Sequence, residues 1–226
     1  MLTYCDFVKY VDEAGFWTPF TNYINPEIFK YAHDGCNITG QAYTDNPETD
    51  PEQWKTRAPS EKKLAYGFFF GGKPGGYIAP RFYSIFMDTF RPTMTIEERY
   101  EAGKLGEYEK KAWDLLVSSG KPLAWSDFRK NLGLEPAVKY KDEVRKLDSA
   151  LKNLQMTFDI TVSGTVGHLG CDKVDNWVPQ KWLEMNPRME HEEALEIIYR
   201  QAENISTPGN AKKAFSKSLK LYKSFC

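Results

Sequence analysis

The stretch Lys141-Asp-Glu-Val144-Arg145-Lys-Leu147-Asp-Ser149-Ala-Leu151-Lys152-Asn-Leu154-Gln155-Met156-Thr157-Phe158-Asp159-Ile160-Thr161-Val162-Ser163 changes its hydrophobic period part-way along. Over 141–155, Val144, Leu147, Leu151 and Leu154 recur at spacings of three and four, which is one stripe of a helix. Lys141, Arg145, Ser149 and Lys152 fall on another side, roughly 100–150° around the axis at about 100° per residue. One side is built for a core, the other for anions or water. After Gln155 the period becomes two. Met156, Phe158, Ile160 and Val162 alternate with Thr157, Asp159, Thr161 and Ser163, the pattern of a strand with one buried face.

Working outward, residues 106–118 carry Tyr108, Ala112, Leu115 and Leu116 at helical spacing, and Gly120 with Pro122 ends that helix. Residues 123–125 are too short for more than an edge strand. Ser126 is placed to cap a second helix over 127–131, with Phe128 and Leu132 inward. On the C-terminal side, Gly164, Gly167 and Gly170 read as a flexible loop. Residues 176–183, with Trp177 and Trp182, read as the returning strand. Helix, helix, helix, hairpin is the winged helix-turn-helix order, and such folds place a helix in the major groove of DNA with phosphate contacts fixing its position. The expected architecture is therefore helix-rich α+β: an N-terminal α/β region over 1–103, a winged helix-turn-helix core over 104–186, and a helical tail over 187–226. The residues expected to meet duplex DNA are Lys139, Lys141, Arg145 and Lys152, with His168 and Lys173 on the wing.

The 226 residues, 41% hydrophobic and 15% aromatic, suffice for a packed core of one large or two small domains. A formal charge of −1 excludes a protein that holds nucleic acid by bulk charge, so binding must come from local clustering. The charge is uneven. Residues 1–60 hold 4 basic and 9 acidic side chains, a net of −5, whereas 187–226 hold 7 basic and 5 acidic, a net of +2. No apolar run approaches the ~20 residues of a membrane span, and no secretory leader is read. Cys5, Cys36, Cys171 and Cys226 are widely spaced and read as reduced thiols of a cytoplasmic protein.

Upstream, Thr3 is placed to cap a helix over residues 4–14. Phe16 to Phe20 read as an apolar turn, 27–33 as a short helix and 41–57 as an exposed loop. Residues 64–70 and Tyr77-Ile78 read as a hairpin or broad turn, followed by a helix over 80–88. Tail helices are expected over 190–203 and 211–225. Gly67 to Lys73 has the letters of a phosphate loop, but residue 74 is proline, and neither the magnesium-binding hydroxyl nor a following helix is there. No nucleotide cofactor is expected. His33-x2-Cys36 and His168-x2-Cys171 could together offer two nitrogens and two sulfurs to zinc. The reading preferred is a loop histidine beside a buried thiol in each, and no metal. Trp54, Lys55, Tyr66, Lys73 and Gln155 form a candidate pocket of aromatics and polar groups, with core packing the simpler role for the rings.

Several features together resemble proteins related to the AlkZ-like winged-helix DNA glycosylases. They are Val11-Asp-Glu-Ala-Gly-Phe16, Trp54-Lys55, Ala65-Tyr-Gly67 leading to Gly71-Gly-Lys-Pro-Gly75, Leu154-Gln-Met156 before the first wing strand, and a tail helix near Glu192. The resemblance implies winged-helix elements that grip DNA, and in the full family the metal-independent removal of alkylated bases. The family's catalytic pattern is Gln-x-Gln or Gln-x-Asp. Here the nearest fragment is Gln155-Met-Thr157, whose Thr157 supplies neither amide nor carboxylate. The expectation is a DNA-binding relative without the standard motif. An active glycosylase with a non-standard site and a protein-interaction module are the alternatives.

Overall fold

The computed structural model describes residues 3–17, 46–69, 75–167, 169–205 and 211–225, with no side-chain detail for 211–214. Among them the chain forms eleven helices and five short strands, a helix-rich α+β fold as expected. The central helix is α7 (Lys141–Met156), laid against α5 (Glu107–Ser119) and joined to it by α6 (Trp125–Asn131). Leu147, Leu151 and Leu154 are buried on α7, as their spacing requires, and they share a cluster with Leu116, Phe128 and Ile160, against which the half-buried Val144 packs. Removing a buried leucine of this kind costs about 2–5 kcal/mol.

The end of α7 departs from the strand expected from residue 156. The helix runs through Met156 and closes with Phe158 N–H to Gln155 O (3.2 Å) and Asp159 N–H to Leu154 O (3.0 Å). That pair of bonds is the Schellman closure, which normally places glycine in the left-handed position. Phe158 takes it instead, with φ 55. A non-glycine residue there costs roughly 1–2 kcal/mol. The ring offsets this, being fully buried and stacked on Phe69 at 5.0 Å. Strand β4 (Ile160–Val162) then pairs antiparallel with β5 (Cys171–Lys173). Both faces of β4 are buried, so the alternation does not mark a solvated side.

The returning strand is β5, not residues 176–183. Those residues form two short helices, α8 (Val174–Trp177) and α9 (Gln180–Leu183). Trp177 and Trp182 meet edge-on at 5.5 Å and both contact Tyr83, so aromatic packing, not strand pairing, decides their conformation. Leu123 bridges to Cys171, which makes it the edge contact its position suggested. The N-cap of α6 is Ala124, whose N–H donates to the Asp127 carboxylate at 2.9 Å, and Ser126, expected as the cap, lies inside the helix. The hairpin loop is anchored where it touches the rest of the chain. Gly164 (φ 71) lies so near the backbone that a Cβ would stand 2.1 Å from the Thr56 carbonyl oxygen.

The N-terminal region supplies α1 (Tyr4–Ala14), capped by Thr3, and a three-stranded antiparallel sheet. Its strands β1 (Phe16–Trp17), β2 (Ala65–Gly67) and β3 (Gly76–Ile78) run in the order β1-β3-β2. Phe16-Trp17 is thus a strand, not a turn. Within the supposed loop 41–57, Pro51 starts α2 (Pro51–Ser60). Asp50 accepts from Glu52 N–H at 3.0 Å, and proline suits the first helical position. Helices α3 (Pro80–Phe90), α4 (Ile96–Glu101), α10 (His191–Asn204) and α11 (Ala211–Phe225) complete the chain. α11 joins two cores: Phe215 packs with α3 and α10, Phe225 with the α5–α7 unit. The short helix expected over 27–33 lies outside the described residues.

Candidate nucleic-acid interface

The two halves of α7 are built differently. The first turn carries Asp142 and Glu143, which suit the positive end of the helix dipole. Around them Lys141, Arg145, Lys146 and Ser149 are exposed, and Lys139 is exposed just before the helix. Arg145 reaches Asp142 only at 3.5 Å, with its side chain 68% exposed. A pair so open holds the guanidinium weakly, so it remains available to another anion. Val138, in the turn before α7, is 90% exposed. Lys130, at the end of α6, is exposed as well.

Lys152 lies on the same side of α7 but one level deeper. Its ammonium sits 5.0 Å from the Phe68 ring and 5.9 Å from the Trp125 ring, and the residue is half-buried. A cation over aromatic faces is held by the ring quadrupole. The structure therefore brings Lys139, Lys141 and Arg145 together on an open surface and sets Lys152 in a socket behind them. Lys173 is half-buried opposite Ile160, at the base of the β4–β5 hairpin and not at its tip. His168 lies outside the described residues.

Beneath this surface runs a polar seam. Gln155 is fully buried; its Oε1 accepts from Phe68 N–H at 3.2 Å and its Nε2 lies 3.9 Å from Cys171 Sγ. It thus links the end of β2, α7 and β5. Asp159 is buried with Arg99, their Oδ1 and Nη2 2.5 Å apart, and accepts from Thr157 Oγ1 on its other oxygen. Burial raises the Asp159 carboxyl above the usual carboxylate range, against the pull of Arg99. Lys62 was not marked by any sequence pattern. Its backbone is left-handed (φ 54), its ammonium donates to Trp177 O at 2.8 Å, and it stands 4.0 Å over the Trp177 ring. Burial lowers it to about 8, while Asp172 pulls the other way.

Of the other candidate pocket residues, Trp54 and Tyr66 share one aromatic core cluster. Trp54 is buried on Phe7 at 4.9 Å and donates to Pro47 O, and Tyr66 is buried against Tyr77 at 4.9 Å. Burial raises the Tyr66 hydroxyl above its ordinary range. Lys55 pairs with Glu52 on α2. Lys73, His33 and Cys36 lie outside the described residues. Cys171 is fully buried, and burial pushes its thiol up to about 12.

A cavity of about 420 Å³ lies elsewhere, where the end of α3 meets α10 and α11. Arg91, Arg188, His191 and Tyr222 line it. The His191 and Tyr222 rings are stacked at 4.3 Å, and His191 Nδ1 lies 2.8 Å from Thr89 O. A carbonyl can only accept, so Nδ1 carries the proton and Nε2 is the ring's remaining polar atom. Arg91 is bidentate to Asp175 at 2.6 Å, and Arg188 pairs with Asp88. Each of these four residues is unremarkable in sequence, and only the helix packing assembles them.

No described helix is long and apolar enough to cross a membrane. The family model described as AlkZ related matches residues 1–220, so the chain belongs to the AlkZ-related family. Comparison with curated proteins and with solved structures returns no match.

Proposed function

We propose that this member of the AlkZ-related family binds duplex DNA through a winged helix-turn-helix formed by α5, α6, α7 and the β4–β5 hairpin. One observation carries the reading. The N-terminal half of α7 follows the α6 turn and exposes Lys141, Arg145 and Lys146, with Lys139 exposed just before it, while Leu147 is buried and Val144 half-buried on the other side. In helix-turn-helix proteins the corresponding end of the second helix of the motif meets base edges. Lys152, seated on aromatic rings, steadies the helix. The near-neutral chain makes this a local site, not a general polyanion surface. A salt titration of duplex binding tests the proposal. Each phosphate contact contributes about −0.9 to the slope of log affinity against log salt, so Lys141→Gln with Arg145→Gln lowers that slope by roughly 2. Undetectable duplex binding at low salt would overturn it, and a protein-interaction role for the same face would then stand.

A second reading, removal of a damaged base, draws on the cavity between α3, α10 and α11. An extruded base needs a pocket with an aromatic wall and polar groups, and the His191–Tyr222 stack with Arg91 and Arg188 supplies both. Release of an alkylated base from duplex DNA by the purified protein, lost in His191→Ala, is the expected result. Duplex binding with no base release rejects this reading and leaves the first intact.

A further inference from the structure

Helix α11 (Ala211–Phe225) holds five lysines and no acidic residue. Its inner side is committed to the fold. Phe215 and Phe225 are buried in two different cores, and Ser218 is buried with its hydroxyl donating to Phe69 O at 2.8 Å. Lys104 donates to Phe225 O at 3.3 Å near the helix end. On the outer side Lys217, Lys220 and Lys223 are all exposed. Their spacing of three keeps them within about 120° of arc, and six residues at 1.5 Å each span about 9 Å.

These lysines differ from other surface cations of the molecule. Lys110 pairs with Asp114, Lys111 with Glu107 and Arg200 with Glu196, each one turn along its own helix. Lys217, Lys220 and Lys223 have no acidic residue on their own helix to play that part. The neighbouring α10 carries Glu192, Glu193, Glu196 and Glu203, yet no ion pair joins them to these lysines among the described residues. Lys223 complements the negative end of the α11 dipole. Lys217 and Lys220 lie too far from that end for the same account, since the effect fades within the last turn.

We propose that Lys217, Lys220 and Lys223 form a second contact with the sugar–phosphate backbone of the duplex engaged by α7, which widens the footprint beyond the recognition helix. This rests on the DNA-binding reading. One strand offers a phosphate every 3.4 Å or so of duplex axis, so a 9 Å row of lysines matches two or three phosphates. Helix α11 packs directly against α7, which fixes the row relative to the first contact. A lipid surface is the poorer partner, because membrane-surface helices bury their apolar side in the bilayer and this one has spent its apolar side on the core.

The test uses the full chain, a labelled duplex, a single strand of the same length, and phosphatidylserine vesicles. The triple variant K217Q/K220Q/K223Q should melt like the parent. Its salt slope should fall by about 2–3, with affinity roughly tenfold weaker at low salt, and the loss should be larger for the duplex than for the single strand. An unchanged slope in this variant, with a reduced slope in K141Q/R145Q, overturns the α11 contact and leaves the α7 reading standing. No duplex binding by the parent overturns both. Equal losses for single strand and duplex reject the duplex footprint. Vesicle binding lost in the triple variant, with duplex binding unchanged, assigns the row to lipid.

Discussion

The open edge of α7 and the seam beneath β4 use the same residue types for opposite ends. On the edge, Lys141, Arg145 and Lys146 stand in water, with only the 3.5 Å Arg145–Asp142 pair among them. In the seam, Arg99 is held by a carboxylate and Lys62 by a carbonyl and an aromatic face. The difference teaches that charge alone says little about role here. A cation's neighbours decide whether it locks the fold or is left for a ligand. If so, seam substitutions should cost stability and edge substitutions should cost binding alone.

The largest effect is expected at Asp159. Asp159→Ala leaves the Arg99 guanidinium buried and unpaired, which costs about 3–5 kcal/mol. Thermal or denaturant unfolding of the variant measures it. Replacing both partners by apolar residues, as in Arg99→Met with Asp159→Leu, should recover most of that loss, because no charge is then stranded. A single variant that melts like the parent would break the contrast between seam and edge.

Gln155→Leu comes next. It keeps much of the volume but leaves the Phe68 N–H without its acceptor, and an unsatisfied buried donor costs about 1–3 kcal/mol. Urea unfolding should show a lower midpoint with an unchanged slope. Since Gln155 also sits in the fragment nearest to the family's catalytic pattern, the variant separates two roles. A loss of stability with salt-dependent DNA affinity retained marks Gln155 as a linker of β2, α7 and β5.

Lys62 adds a pH dependence. Its folded value of about 8 lies below the ordinary lysine value of 10.5. Between these values the unfolded chain binds the extra proton and the folded chain does not, so this residue makes stability rise with pH across that window. Below about pH 8 the ammonium is charged in both states and its contribution is flat. Lys62→Met should remove the rise between pH 8 and 10.5. An unchanged curve would place Lys62 with the edge lysines.

The open edge was legible in the sequence because helical periodicity is a local property. Val144, Leu147, Leu151 and Leu154 define one side of α7, and Lys141 and Arg145 must then face elsewhere. The seam was not legible, because it is assembled from distant residues. Arg99 meets Asp159 across sixty positions, and Lys62 meets Trp177 across 115. The same limit explains the hairpin. Nothing local says that Trp177 and Trp182 will find Tyr83, so their β propensity was read as a strand. Phe158 likewise occupies a left-handed position that sequence rules reserve for glycine, held there by Phe69.

The smallest expected effect on stability belongs to the edge, and it decides the functional half of the comparison. Surface changes away from caps, cores and buried pairs usually alter stability by no more than about 0.5 kcal/mol. Lys141→Glu with Arg145→Glu should therefore leave the melting temperature nearly unchanged. Arg145 gives up only its exposed 3.5 Å contact with Asp142, and exposed pairs are worth at most about 1 kcal/mol. Duplex affinity should nevertheless collapse, since two attractions become two repulsions, and the salt slope should fall by roughly 2. Measuring both quantities on one preparation keeps misfolding from passing as lost binding. An equal fall in melting temperature and affinity would mean that the edge is packed against something in the folded chain. The cations of α7 would then belong to the seam.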